Sequence, residues 1–186
     1  MTPKLGSGYN SPRTLEAAAG LVALVNTRPH AQVGDSLAQP EVGEDVIRRF
    51  GGEPGRTDPA VLRQVAELRD ALARALSNDA SESERAWSDV SRLLRSATVR
   101  RVFTPAGVVL EPAEGDLLMS GIAQAVQDVV EADSWSRLRV CSSDLCELAF
   151  YDSTRSRTQK WDSYETCGNR ANVAAHRARL HPRVEE

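Results

Sequence analysis

Residues 141–170 read CSSDLCELAFYDSTRSRTQKWDSYETCGNR, and this stretch contains all three cysteines of the 186-residue chain. Cys141 and Cys146 have four residues between them, and Cys167 opens the tetrapeptide CGNR. Residues 1–11 lack the charged and apolar regions of a signal peptide, so we expect a cytoplasmic protein without a disulfide framework. The clustered cysteines therefore indicate a metal site or a set of buried reduced thiols.

A zinc site needs about four ligands, and the chain offers three thiols. The candidates for the fourth ligand are Asp162, His176 and His181. Asp162 precedes Cys167 by the same spacing that separates the first two cysteines, so the spacing favours Asp162. His176 falls in a predicted helix, where it could reach back to the metal or lie on the helix surface. A carboxylate holds zinc less tightly than a thiolate, so we expect a labile metal.

The order of motifs in this part of the chain resembles the CGNR zinc-finger family, small bacterial proteins regarded as candidate transcription regulators. The features that carry the resemblance are the Cys141 and Cys146 pair, Phe150-Tyr151-Asp152-Ser153, Lys160-Trp161, Cys167-Gly168-Asn169-Arg170 and a basic helix over 172–179. The family usually has a cysteine after the tryptophan, where this chain has Asp162. The resemblance implies a zinc-binding module and a regulator that binds double-stranded DNA.

The family also has an all-helical domain before the finger, with a Val-Asn-Thr signature near its start. Val25-Asn26-Thr27 is similar to that signature. Polar residues that end a buried helix could line a pocket between helices, so Asn26, Thr27 and Arg28 are candidates to bind a small-molecule effector. The alternative for Asn26 is a simple helix C-cap, a common use of asparagine.

Periodicity predicts a helical domain over 1–136, and the resemblance implies a finger module over 137–186, so we expect a mainly α fold. Asp58-Pro59 is a helix start, and apolar residues follow it at helical spacing. The β-branched residues on both sides of Thr104-Pro105-Ala106-Gly107 predict a short β-hairpin. The link between the two parts is short, so we expect the finger to dock on the helical body. In the finger, Gly168 is expected to permit a tight turn and Asn169 to cap a basic helix.

The distribution of charge favours a nucleic-acid partner for the finger. Residues 1–136 hold fourteen basic and nineteen acidic residues, a net −5, whereas residues 137–186 hold nine and seven, a net +2. A basic stretch on an acidic protein is typical of a small DNA-binding module, although a solvated charged face is the alternative. The candidate DNA contacts are Arg155, Arg157, Lys160, Arg170, Arg177 and Arg179, with Arg177 and Arg179 placed first.

Other functions find less support in the sequence. No phosphate-binding glycine loop or Ser-His-Asp context is present, and Cys167 with His176 is better explained by metal binding than by catalysis, so we expect no enzyme. No apolar run reaches the length of a membrane span. A symmetric homodimer would present two basic helices to two DNA half-sites. The alternative function is a protein-interaction or ligand-binding protein whose finger is only a structural clip.

Overall fold

The structure is a computed structural model that describes residues 11–30, 33–105, 107–113 and 117–180. The described residues form six α-helices and two small antiparallel sheets, which confirms the mainly α fold with a hairpin and a C-terminal module. The elements are α1 (Pro12–Val25), α2 (Pro40–Arg49), α3 (Pro59–Ala75), α4 (Ala80–Leu93), β1 (Val99–Thr104), β2 (Gly107–Pro112), α5 (Leu117–Glu131), β3 (Leu138–Val140), β4 (Ala149–Tyr151) and α6 (Asn169–Leu180).

Proline and a capping side chain set the start of several helices. The helices α1, α2 and α3 each begin at a proline, whose fixed φ and missing N–H suit a first helical turn. Asp58 accepts a hydrogen bond from the Ala60 N–H at 2.7 Å, as the Asp58-Pro59 pair predicts. At its other end α1 stops at Val25, and Asn26 is its C-cap residue.

One aliphatic core lies between α1, α3 and α5. The largest side chains of these helices with less than 2% exposure are Leu21, Leu24, Val65, Leu68, Leu72, Met119, Ile122 and Val129. Burial of apolar surface stabilises the fold by about 25 cal/mol per Å², so these helices supply most of the hydrophobic stabilisation. None of the described helices has both the length and the apolar character that crossing a membrane requires.

The predicted hairpin is confirmed as the antiparallel pair β1 and β2, with Thr104 opposite Gly107 at its end. Ala106, in the predicted turn, lies outside the described residues. The strand β2 packs on α5, and the Thr98 N–H donates to the Ser120 hydroxyl at 3.2 Å. The hairpin therefore extends from the helical body near the start of α5.

The second sheet, β3 with β4, joins the finger to the body. Cys141 N–H donates to the Leu148 carbonyl and Asp152 N–H to the Arg137 carbonyl, so the backbone groups of Ala149 between them face away from β3. The side-chain amide of Asn26 takes up both groups. Its Nδ2 donates to the Ala149 carbonyl at 3.0 Å, and its Oδ1 accepts from the Ala149 N–H at 2.7 Å.

This pair of hydrogen bonds, the Asn26 clamp, is reinforced by packing. Leu138 and Ala149 are buried in the same core cluster as the helices, and Arg28 Nη2 donates to the Glu147 carbonyl. The prediction that the finger docks on the helical body is therefore confirmed. Body and finger share buried surface across the position where the sequence separates them.

The prediction that Asn26, Thr27 and Arg28 bind a small ligand has no support in this geometry. Asn26 and Arg28 hold the finger, and the buried Thr27 donates to the Leu24 carbonyl at 2.7 Å. The cavity beside the end of α1, which Val25 and Ala149 help to line, measures only about 10 Å³. That is about the space of one water molecule, which is too little for a small-molecule effector.

We predict that Asn26→Ala lowers the free energy of unfolding by about 2 kcal/mol, because it leaves a backbone N–H and a carbonyl of β4 without partners. Urea unfolding followed by circular dichroism measures the change. Asn78→Ala is the matched control, since Asn78 is exposed in the turn between α3 and α4. Equal unfolding midpoints for the two variants would contradict a stabilising clamp.

Candidate metal centre and nucleic-acid surface

The three cysteines converge on one point. Cys141 follows β3, Cys146 ends a turn in which its N–H donates to the Ser143 carbonyl at 2.9 Å, and Cys167 comes from a separate segment. Their three sulfur atoms lie within 4.8 Å of one another. Cys141 and Cys167 are buried and Cys146 is partly buried, and all three are free thiols.

A short π-helix over Tyr164–Gly168 brings Cys167 to the other two cysteines. Ser163 caps this turn: its carbonyl accepts from the N–H groups of Cys167 at 2.9 Å and Gly168 at 3.1 Å, and its hydroxyl accepts from the Thr166 N–H. The π-turn leads directly into α6. A π-turn widens the helix by one residue and is often found at functional sites.

Gly168 and Asn169 have other roles than the sequence predicts. Gly168 is buried in the π-turn, and a Cβ there would lie 2.8 Å from Tyr164 Cδ2 and 3.3 Å from Trp161 Cε3. Its small size thus permits close packing of two aromatic rings. Asn169 is already helical, with φ −64° and ψ −41°, and its side chain donates to the Glu165 carbonyl, so the capping residue is Ser163. The helix begins one turn earlier than expected because the π-turn is continuous with α6.

The sulfurs and the rings form the small core of the finger. Phe150 is buried with Cys141 and Cys167, and Trp161 and Cys146 pack against them. Trp161 also meets Tyr164 edge to face, with ring centroids 6.0 Å apart. Trp161 therefore packs beneath the cysteine cluster. Its side chain has a structural role there.

The environment differs between the thiols of the cluster. Burial, with hydrogen bonds to Cys167 and Cys141, raises the pKa of the Cys146 thiol to about 12. Burial also opposes ionisation of Cys167, but hydrogen bonds from Thr166, Cys146 and Cys141 outweigh it and lower the pKa of that thiol. Of these two thiols, Cys167 is therefore the one that its hydrogen-bond neighbours favour for ionisation.

The donor set fits a zinc ion with three protein ligands. Sulfurs held at about 2.3 Å from a tetrahedral zinc stand about 3.8 Å apart, within the spread of the three thiols. Among the described residues, no carboxylate or imidazole joins the sulfurs within that spread. Asp162, the predicted fourth ligand, is exposed, because its neighbour Trp161 turns inward to pack on the cluster. His176 is also exposed, and His181 lies outside the described residues.

A buried carboxylate organises the loop that follows β4. Asp152 is fully buried and accepts hydrogen bonds from the N–H groups of Thr154 at 2.9 Å and Gln159 at 3.0 Å. The loop that it closes exposes Arg155 and Lys160, two of the candidate DNA contacts. Arg157 is also exposed, but its guanidinium contacts the Ser136 hydroxyl and lies 4.0 Å from the Asp133 carboxylate. Two residues of the body therefore already interact with this guanidinium.

The helix α6 projects from the finger. Its described side chains are exposed, apart from the partly buried Ala171, and its main contact among the described residues is with the π-turn before it. Arg170 and Arg177, seven residues apart, share one face with Val173 and Ala174, and these four residues line one shallow groove. Arg179 is two residues beyond Arg177 and therefore lies on the opposite face, since each residue turns an α-helix by about 100°.

Two family models match the chain in agreement with this architecture. The model ABATE, described as "putative stress-induced transcription regulator", matches residues 19–133, and the CGNR zinc finger model matches residues 137–180. The chain belongs to the ABATE family. The ABATE region comprises the helical body with its hairpin, and the CGNR region comprises the cysteine cluster and α6. No curated protein matches the chain.

The resemblance to the CGNR family is thereby confirmed, and the ABATE region adds a role for the Val-Asn-Thr signature. In this ABATE protein the signature residue Asn26 pairs with a finger strand 123 positions later in the chain. The sequence shows a polar residue at the end of an apolar helix but gives no sign of its distant partner. Ser163 was missed for a different reason, since the Ser-x-x-Thr pattern before CGNR is too common to single out.

We predict that Gly168→Ala loosens the finger, because the added Cβ forces the Tyr164 ring away from Trp161. The expected loss is about 1 kcal/mol of unfolding free energy, the scale of one aromatic contact. Differential scanning calorimetry measures it against Gly34→Ala, since a Cβ at Gly34 meets nothing within 4 Å. A Gly168→Ala protein as stable as the Gly34→Ala control would contradict the packing role.

Proposed function

We propose that this ABATE-family protein regulates transcription by binding double-stranded DNA through α6, on a finger that is held together by zinc. The observation that carries the proposal is the exposure of the described side chains of α6, all but the partly buried Ala171. A twelve-residue helix is marginal by itself in water, and this one buries almost none of its surface. A helix that projects in this way gains most from a partner that surrounds it, as the major groove of DNA does.

The charge of α6 selects the kind of partner. Residues 169–180 contain three arginines and no acidic residue. Arginine forks to phosphate and to the edge of guanine, and the face of Arg170, Val173, Ala174 and Arg177 offers small apolar side chains between two such groups. We assign this face to the groove, with Arg155 and Lys160 as further phosphate contacts from the exposed loop.

Zinc at the three cysteines would fix the base of this helix. Cys167 lies in the π-turn that leads into α6, so a bond from its sulfur to a metal holds the helix start to the turn of Cys141 and Cys146. The finger has few other buried side chains, and small modules of this kind commonly depend on a metal. With three thiolates present, the fourth position of the ion is left for solvent.

We predict that the protein binds one zinc per chain and that Cys141→Ser or Cys167→Ser removes it. Asp162→Ala should keep the zinc, because that carboxylate is exposed and apart from the sulfurs. Zinc released from purified protein by a thiol-blocking reagent gives the count. Asp144→Ala, at another exposed acidic residue in the finger, is the control. Loss of zinc from Asp162→Ala alone would show that this side chain turns inward to bind the metal.

We predict that Arg170→Ala/Arg177→Ala weakens binding to any duplex by at least tenfold at low salt. The dependence of affinity on salt should also become shallower, since each lost phosphate contact releases about one counterion fewer. Fluorescence anisotropy with labelled duplex DNA measures both quantities.

Two control variants distinguish an effect of the α6 face on affinity from an effect of net charge. Arg63→Ala/Arg95→Ala removes the same charge from exposed positions on the body, and Arg179→Ala removes an arginine from the other face of α6. Both should bind more tightly than the Arg170→Ala/Arg177→Ala protein. Equal weakening by all three variants would mean that overall charge governs binding. No binding of the wild type at low salt would favour a protein-interaction module instead.

A further inference from the structure

A second site lies in the helical body, away from the finger. A cavity of about 320 Å³ opens between the first turns of α1, the end of α2 and the middle of α5. Its size is at the lower end of small-molecule pockets, which span about 300–1,000 Å³. The residues that carry the argument are Arg13, Glu16, Arg49, Phe50, Gln124 and Asp128.

Two glycines shape this cavity. A Cβ at Gly121 would lie 2.0 Å from the Phe50 carbonyl oxygen, and one at Gly20 would lie 3.2 Å from Phe50 Cζ. The end of α2 therefore approaches α1 and α5 closely at Phe50, and both glycines line the cavity. The end of α2 can come this close because α1 and α5 each have a glycine, which lacks a Cβ, at the point of contact.

The cavity carries paired charges of both signs. Arg13 Nε lies 2.7 Å from Asp128 Oδ2, with the arginine half-exposed and the carboxylate largely buried. Arg49 enters from α2 and pairs with Asp45 at 2.6 Å, while Glu16 adds a second acidic group. An intramolecular ion pair at the edge of a cavity can exchange partners with a ligand that brings both charges.

Gln124 adds an acceptor that lacks a partner. Its Nε2 donates to Asp128 Oδ1 at 2.9 Å, which leaves the buried Oε1 without a hydrogen bond among the described residues. A buried acceptor without a donor is unfavourable, so a ligand that supplies an N–H gains from this contact. The neighbouring Asp128 makes a cationic N–H the best match.

We propose that this cavity binds a small zwitterion of the α-amino acid class with an apolar side chain. The ammonium group would meet Asp128, Glu16 and Gln124 Oε1, and the carboxylate would meet Arg49 and Arg13. The side chain would pack on Phe50 and the neighbouring alanines of α1 and α5. The cavity is lined by residues of the body and by none of the finger. One of its walls is α1, the helix whose C-cap residue is Asn26.

Isothermal titration calorimetry of the full chain with single proteinogenic amino acids tests the proposal without DNA. We expect at least one amino acid with an apolar side chain to bind the wild type. Acetate and methylammonium, each with one of the two charges, should bind at least tenfold more weakly. Arg49→Met and Gln124→Met should each weaken amino-acid binding at least tenfold.

Matched variants keep the test specific. Arg48→Met changes the neighbouring arginine of α2, and Gln127→Met changes a glutamine of α5 that bonds Glu131, and neither residue lines the cavity. Both should bind like the wild type, and circular dichroism confirms that all four variants are folded. The proposal is overturned if no amino acid binds, if Arg49→Met and Gln124→Met bind as well as their controls, or if acetate or methylammonium alone matches the zwitterion.

Discussion

The two hydrogen bonds between the Asn26 amide and the backbone of Ala149 join the end of α1 in the body to β4 in the finger. A side-chain amide offers one donor and one acceptor, the same pair that a neighbouring strand would present, so Asn26 completes the outer edge of β4. Because Asn26 also ends α1, the orientation of the first helix and the position of the finger are linked. The burial of Leu138 and Ala149 in the helical core follows from this contact.

The two parts of the chain are stabilised by different means. The body buries long aliphatic faces from three helices, whereas the finger buries Cys141, Cys167 and Phe150, with Cys146 and Trp161 partly buried against them. A core of that size gives α6 little support, so the contact of the finger with the body matters for its stability, and the three sulfurs offer ligands for a metal. The π-turn connects these supports, since it contains Cys167 and continues into α6.

Charge divides the molecule in the same way. The body is acidic and the finger basic, and α6 contains three arginines and no acidic residue. Where arginines meet the body they are neutralised: Arg157 stands near Asp133, and the buried Arg69 pairs with Asp35 and Asp70. The arginines of α6 have no such partner among the described residues.

The sequence by itself determined the helical body, the hairpin and the convergence of Cys141, Cys146 and Cys167, because these rest on local periodicity, turn residues and a dense motif. Only the tertiary structure decided the role of Asn26, since its partner is 123 residues away. It likewise decided that Asp162 stays outside the sulfur cluster and that Gly168 serves packing, because spacing gives the order of residues but not the direction of a side chain. Which side Trp161 turns to, and therefore where Asp162 points, depends on contacts that form only when the finger packs against itself and the body.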